Sequence, residues 1–172
     1  MIRMASSIPR LAVLAALALM LAGCADLASL PGLGLGPAKH FAAYEAKVDP
    51  AAARDMISDY RTIHGLPPVA IDPVLERVAQ DQALAMAKVD TLSHTIAGSL
   101  TTRLDGAGLP NTAAIENVSA GYDSLAAAFA GWRRSPPHDA NMLDPKMRRM
   151  GFASAAAPGS RYRIYWALVM TD

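Results

Sequence analysis

The sequence predicts an α+β domain, and three observations carry that prediction. Two helix starts are written as Asp followed by Pro, at Asp49-Pro50 and Asp72-Pro73. Apolar side chains alternate along the closing segment from Arg161 to Thr171. A Pro158-Gly159-Ser160 turn separates that segment from an apolar run at Met150 to Ala156. Helices that precede and interrupt antiparallel strands must bury their apolar stripes against the sheet, which is the α+β arrangement.

The first helix starts at the Asp49 cap, places Met56, Tyr60 and Ile63 at i, i+4 and i+7, and stops at Gly65. The second starts at Asp72 and sets Leu75, Ala79, Ala83 and Met86 on one stripe. A short third helix holds Leu100, Arg103, Leu104 and Ala107 and ends at Gly108. A fourth runs from an Asp123 cap through Leu125, Phe129 and Trp132 until Pro136-Pro137 ends it. Strands are expected near 113–118, 150–156 and 161–171. In the last, Tyr162, Ile164, Trp166, Leu168 and Met170 form a fully apolar face, while the face of Arg161, Arg163, Tyr165, Ala167 and Val169 becomes apolar only toward its end. Met142, Met147 and Met150 read as core fillers rather than metal ligands.

The chain has 172 residues, 52% hydrophobic and 18% charged, a length suited to one domain. Its 16 basic and 15 acidic side chains argue against a nucleic-acid partner, since phosphate recognition leaves an excess of positive charge. The single cysteine, Cys24, excludes an internal disulfide, a cysteine-rich zinc module and an iron-sulfur cluster.

Residues 1–23 have the charge and length of a secretory leader: Arg3 and Arg10 precede the apolar run Leu11 to Leu21, too short to span a bilayer. That run ends in Leu21-Ala22-Gly23-Cys24, which resembles the bacterial lipobox, in which the cysteine thiol receives a diacylglycerol. Cys24 is therefore the expected lipidation site, and the acyl chains supply the membrane contact. Residue 25 is Ala rather than the Asp that retains enterobacterial lipoproteins in the inner membrane, so the expected location is the periplasmic face of the cell envelope, at the outer membrane. Residues 24–48, rich in Ala, Gly and Pro, read as a flexible tether, and residues 49–172 as the folded domain.

Three side chains stand out chemically. His94 and His138 fall in expected loops beside core elements, and Glu116 is a carboxylate inside the apolar stretch 113–118, where burial demands a partner. Two imidazoles and one carboxylate with an open fourth position suit zinc. The alternative is that both histidines are separately hydrogen-bonded loop residues and that Glu116 caps a backbone group, because the spacing ties no pair to one helix face. Ser135 is close enough in sequence to meet His138, but no third member of a triad accompanies them, and no Gly-x-Ser-x-Gly elbow occurs.

In order along the chain stand Tyr60-Arg61 through Gly65-Leu66, Ile71-Asp72 with Leu75 and Ala79, Ser93-His94, Arg103 with Ala107-Gly108, and Glu116-Asn117. Trp132, Ser135-Pro136-Pro137-His138 with Asn141-Met142-Leu143, Met150-Gly151 and Tyr165-Trp166 follow. This set, over residues 51–172, resembles the pattern of bacterial CAP-superfamily domains, the cysteine-rich secretory, antigen and pathogenesis-related or SCP domains. The resemblance implies a three-layer α-β-α sandwich around a central antiparallel sheet, with a cleft lined by histidine and glutamate. His94, Glu116 and His138 correspond to its cleft residues, Asn117 and Ser135 to supporting polar residues, and Trp132 to a structural one. The second glutamate and the Gly-His-[Phe/Tyr]-Thr-Gln segment of the eukaryotic branch do not occur, nor do the family's disulfides.

The family fixes fold better than function. The expectation is a non-enzymatic binding module on a lipid anchor, engaging a lipid, cell-wall or other envelope ligand through the His94, Glu116 and His138 cleft, with zinc as the metal those residues suit. The alternative is a metal-dependent hydrolase in which His94 and His138 hold zinc, a bound water attacks, and Glu116 serves as ligand or base. A third reading is structural assembly through an exposed apolar surface.

Overall fold

The computed structural model describes residues 39–172. The leader, Cys24 and the tether up to residue 38 lie outside the described residues. Asp49 opens α1 (Pro50–Ile63) by accepting a hydrogen bond from Ala51 N at 2.9 Å, and Asp72 opens α2 (Pro73–Val89) by accepting from Val74 N at 2.8 Å. Both Asp-Pro starts behave as expected, because the aspartate satisfies a free N–H and the proline lacks one. Ser99 caps the short α3 (Leu100–Gly106) in the same way.

The strands are β1 (Tyr44–Glu45), β2 (Ala70–Ile71), β3 (Ala114–Ala120), β4 (Arg149–Ala156) and β5 (Ile164–Thr171). They form one sheet in the order β1-β4-β5-β3, antiparallel throughout that path, with β2 added parallel to β4. The strip 39–48, expected to belong to the tether, is joined to the sheet: Tyr44 pairs with Ala156, Phe41 N donates to Lys88 O, and the compact unit begins at Lys39. Backbone pairing and the burial of Phe41 outweigh the local Ala-rich composition here.

The alternation read in the last strand builds two cores. Trp166, Leu168 and Met170 face Ile57, Phe129, Trp132, Met142, Met147, Met150 and Phe152 on one side of the sheet. Tyr165, Ala167 and Val169 face α2 and Leu104 of α3 on the other. Helices on both faces give the α-β-α sandwich. The strand starts at Ile164 rather than Arg161, since Arg163 adopts φ +61°, which breaks the extended run.

Three helix expectations need correction. In α1 the buried stripe is Ala53, Ile57 and Arg61, and Ile63 is 81% exposed. Met56 and Tyr60 of the predicted stripe flank that core line and pack against it, and only Ile63 falls outside, because the core position of the last turn is filled by an arginine. Arg61 is fully buried, donating from Nε to Pro67 O at 3.0 Å, from Nη1 to Met142 O at 2.8 Å and Asp144 O at 2.9 Å, and from Nη2 to Met147 O at 2.9 Å. Burial lowers its affinity for its proton, but the carbonyls meet the guanidinium fork. Next, α4 (Leu125–Arg133) is capped by Ser124, while Asp123 pairs with Arg163 at 2.9 Å. Finally, Pro136-Pro137 does end α4 but also opens α5 (Pro136–Met142), with Ser135 at its N-cap. Proline is as suited to the first helical turn as to ending the one before. No helix among the described residues is long and apolar enough to cross a membrane.

The stripe of Ala79, Ala83 and Ala87 faces Ala153, Ala155 and Ala167, so α2 lies very close to the sheet. At Gly151 a Cβ would stand 2.0 Å from Leu75 C and 2.2 Å from Glu76 N. Gly151→Ala must therefore push the helix off the sheet. We expect a loss of ~1–3 kcal/mol in urea unfolding with an unchanged m-value.

Candidate functional site

Strand β3 is the free edge of the sheet on the side away from β4. Successive side chains on a strand point to opposite faces, so Glu116 and Asn117 leave β3 in opposite directions. Glu116 emerges toward α3 and the loop after α2, and Asn117 toward α5. The edge thus carries a carboxylate on one face and a carboxamide on the other.

Glu116 is buried, with a side chain only 3% exposed, and both oxygens are matched. Oε2 accepts from Nη2 of Arg103 at 2.5 Å, and Oε1 accepts from Nδ1 of His94 at 2.9 Å. The Arg103 side chain is itself 7% exposed, so this ion pair sits largely out of water and its members depend on each other. Arg103 also donates to Gly98 O at 3.2 Å and to His94 O at 3.4 Å, which ties the 91–98 loop to α3. Gln82, buried in α2, donates from Nε2 to Ser93 O. His94 is thereby held by its backbone on two sides and by its ring on a third. Its side chain is 58% exposed, and Nε2 has no hydrogen-bond partner among the described residues.

On the opposite face, Asn117 is fully buried and donates from Nδ2 to His138 O at 2.9 Å. Asn141, one turn after His138 on α5, donates from Nδ2 to Asn117 Oδ1 at 2.8 Å and to Glu116 O at 3.2 Å. These bonds dock α5 on the free edge of β3. Ser135, at the N-cap position, spends its hydroxyl on His138 Nδ1 at 2.7 Å instead of on a backbone N–H. Nδ1 of each ring is therefore engaged and Nε2 of each is left over. Desolvation pushes the His138 imidazole below its ordinary range, and the charge of His94 adds to the effect.

Of the expected site residues, His94 and Glu116 meet through their side chains, while His138 is bonded through its ring to Ser135 and through its carbonyl to Asn117. Both Glu116 oxygens accept a hydrogen bond, one of them from a guanidinium whose charge opposes a nearby cation. Among the described residues no group of three or more His, Cys, Asp or Glu side chains is arranged to hold a metal ion. Glu116 instead orients His94, and the donors left for a ligand are the two Nε2 positions. Asn117 does not line the cleft but fixes α5 from beneath it, and Ser135 orients His138. Sequence reasoning gave no role to Arg103, Gln82 or Asn141. Arg103 had a signal, being the sole Lys or Arg between Lys88 and Arg133 and so the nearest cation for a carboxylate buried at position 116. Asn141 stood in the ordered motif set without a role, since its partners on β3 are set by tertiary contact, and Gln82 had no signal because it bonds a backbone carbonyl.

The chain matches the family described as "CAP: Cysteine-rich secretory protein family" over residues 54–170. It is similar to an extracellular protein containing a SCP domain from Bacillus anthracis, at 24% identity and TM-score 0.62 over 71% of this chain and 39% of that one. An outer surface protein of Borrelia burgdorferi is similar at 18% identity and TM-score 0.65, over 75% of this chain and 98% of that one. A cysteine-rich secretory protein of Staphylococcus aureus is similar at 20% identity and TM-score 0.56, over 70% of this chain and 37% of that one. These are likenesses of fold, and this chain spans well under half of the Bacillus and Staphylococcus proteins. No curated protein sequence matches the chain.

Two outcomes are expected. Arg103→Met strands the Glu116 carboxylate and should reduce stability by ~3–5 kcal/mol, while adding Glu116→Gln should restore part of that loss in a double-mutant cycle. The His138 ring should titrate below 6.5 by NMR, and move up when His94 is changed to Gln. The unfolded chain then binds the proton more readily than the folded one, so this histidine's contribution to stability falls as pH drops through 6.5 toward the lower folded value.

Proposed function

The chain belongs to the cysteine-rich secretory protein (CAP) family, and from that premise we propose that it is an envelope-anchored binding module rather than an enzyme. The observation that carries this reading is the commitment of both Glu116 oxygens. A hydrolase that used Glu116 as base or ligand needs the carboxylate open to the reacting atoms, and this side chain is 3% exposed, with Arg103 against one oxygen and His94 against the other. What the site offers instead is recognition: two imidazoles with Nδ1 engaged and Nε2 left to accept or donate hydrogen bonds according to protonation. Such a pair suits a polar ligand with hydroxyl, amide or headgroup functions, which an envelope lipid or cell-wall polymer provides.

The anchor is the other half of the proposal. Cys24 carries the lipid, the stretch between it and Lys39 sets the reach of the domain, and the module works at the periplasmic face of the outer membrane. The extracellular and outer-surface descriptions of its structural neighbours support an envelope location.

Radiolabelled palmitate should label the full chain and fail to label Cys24→Ser. For the cleft, the expected result is that the protein co-sediments with purified cell-wall sacculi or envelope-lipid vesicles, and that His94→Ala with His138→Ala loses this by tenfold or more while retaining its circular dichroism. Zinc titration discriminates the hydrolase reading. One stoichiometric zinc, lost in both Glu116→Gln and the double histidine variant, would revive it; zinc binding unchanged by Glu116→Gln leaves the carboxylate in its orienting role.

A further inference from the structure

The sheet has a gap in its second edge, far from the histidine cleft. On the outer side of β4, β1 reaches only to Ala155 and β2 only to Met150. The carbonyls of Met150 and Ser154 on that edge are taken by Asp72 N and Ala46 N, at 2.9 and 3.0 Å. In an antiparallel strand the outward groups recur at every second residue, so Phe152 presents its N–H and C=O to the same edge. Neither β1 nor β2 lies opposite it, and no backbone or side-chain bond to either group is made among the described residues.

Phe152 lines a groove of 670 Å³ between the 45–50 strap and the first turns of α2. Its rim carries charges of both signs, Glu45 and Lys47 on the strap and Glu76 and Arg77 on the helix. None of the four makes an ion pair among the described residues. Gln80, also on the helix side, has a buried side-chain Nε2 with no hydrogen-bond partner. A backbone donor and acceptor at strand spacing, a spare carboxamide donor and unpaired charges of opposite sign describe one kind of ligand.

We propose that this groove binds a short peptide in extended conformation, bearing one acidic and one basic side chain, which completes the ladder between β1 and β2. Its central residue exchanges N–H and C=O bonds with Phe152, as in β-strand addition. The residues on either side of it share a face and meet the charges of α2. The gap admits one residue pair, which suits a peptide and is too short to seat the edge of a second copy.

The test is a titration of the ¹⁵N-labelled full chain with acetyl-Lys-Ala-Glu-amide. The expected result is a saturable shift of the Phe152 amide and the Gln80 side-chain NH₂ signals, with the His94 and His138 rings unmoved. The same peptide methylated on its central amide nitrogen should bind about tenfold more weakly, because it lacks the donor for Phe152 O. The proposal is overturned if no saturable shift occurs or if the methylated peptide binds equally well. A Phe152 shift that follows protein concentration without peptide also overturns it, by showing self-association at this edge. Reversing the rim charges with Glu76→Lys and Arg77→Glu, both on the helix surface, gives a second readout: binding that is unaffected by the swap removes the charged side chains from the recognition.

Discussion

A carboxylate withdrawn from water has to be met by a cation, and the site is organised around how Glu116 meets that requirement. Arg103 supplies the charge, and to reach it α3 must lie against β3 with its arginine turned inward. Arg103 then has donors to spare, and these collect the carbonyls of Gly98 and His94. The 91–98 loop is thus shaped by the same guanidinium that neutralises the buried glutamate. The remaining carboxylate oxygen fixes the His94 ring. One unfavourable burial, once compensated, positions a helix, a loop and an imidazole.

The other face of the edge is built from neutral groups by the same logic. Asn117 and Asn141 saturate each other and the carbonyls of His138 and Glu116, so the free edge of β3 is covered by α5 where a bare edge would invite association. Further along, Arg61 plays the corresponding part for the segment that follows α5, holding the carbonyls of Met142, Asp144 and Met147 from inside the core. A fully buried arginine whose partners are carbonyls rather than a carboxylate must be satisfied by geometry alone, which fixes the 142–147 path and with it the end of α5. Each histidine is therefore held through both its backbone and its ring.

Much of this was legible in the sequence, and the parts that were not share a cause. The Asp-Pro starts, the alternation of the closing strand and the Leu75, Ala79, Ala83, Met86 stripe report local chemistry, and each element formed there, the strand three residues later than its pattern begins. The α1 face was read correctly for Met56 and Tyr60 but not for Ile63, because Arg61 occupies a core position that periodicity assigns to an apolar residue. Ser135-Pro136-Pro137 was read only as a stop because the start it encodes depends on α5 finding Asn117. Strand β1 was hidden in a tether-like composition because its partner, β4, lies more than 100 residues on, as the 108-residue separation of Ala46 and Ser154 shows. The candidate site residues were proposed from motif and residue type. Their roles depended on which atom faces which, and that is decided by tertiary contacts.

The account turns on Glu116 as an orienting group, which sets the tautomer of His94. A long-range ¹H–¹⁵N spectrum of the His94 ring, taken with the ring neutral, tests this most directly. The account predicts a proton on Nδ1, facing Glu116, and a lone pair on Nε2, open to the cleft. A proton found on Nε2 would mean that Nδ1 does not donate to the carboxylate, and the orienting role of Glu116 would be contradicted.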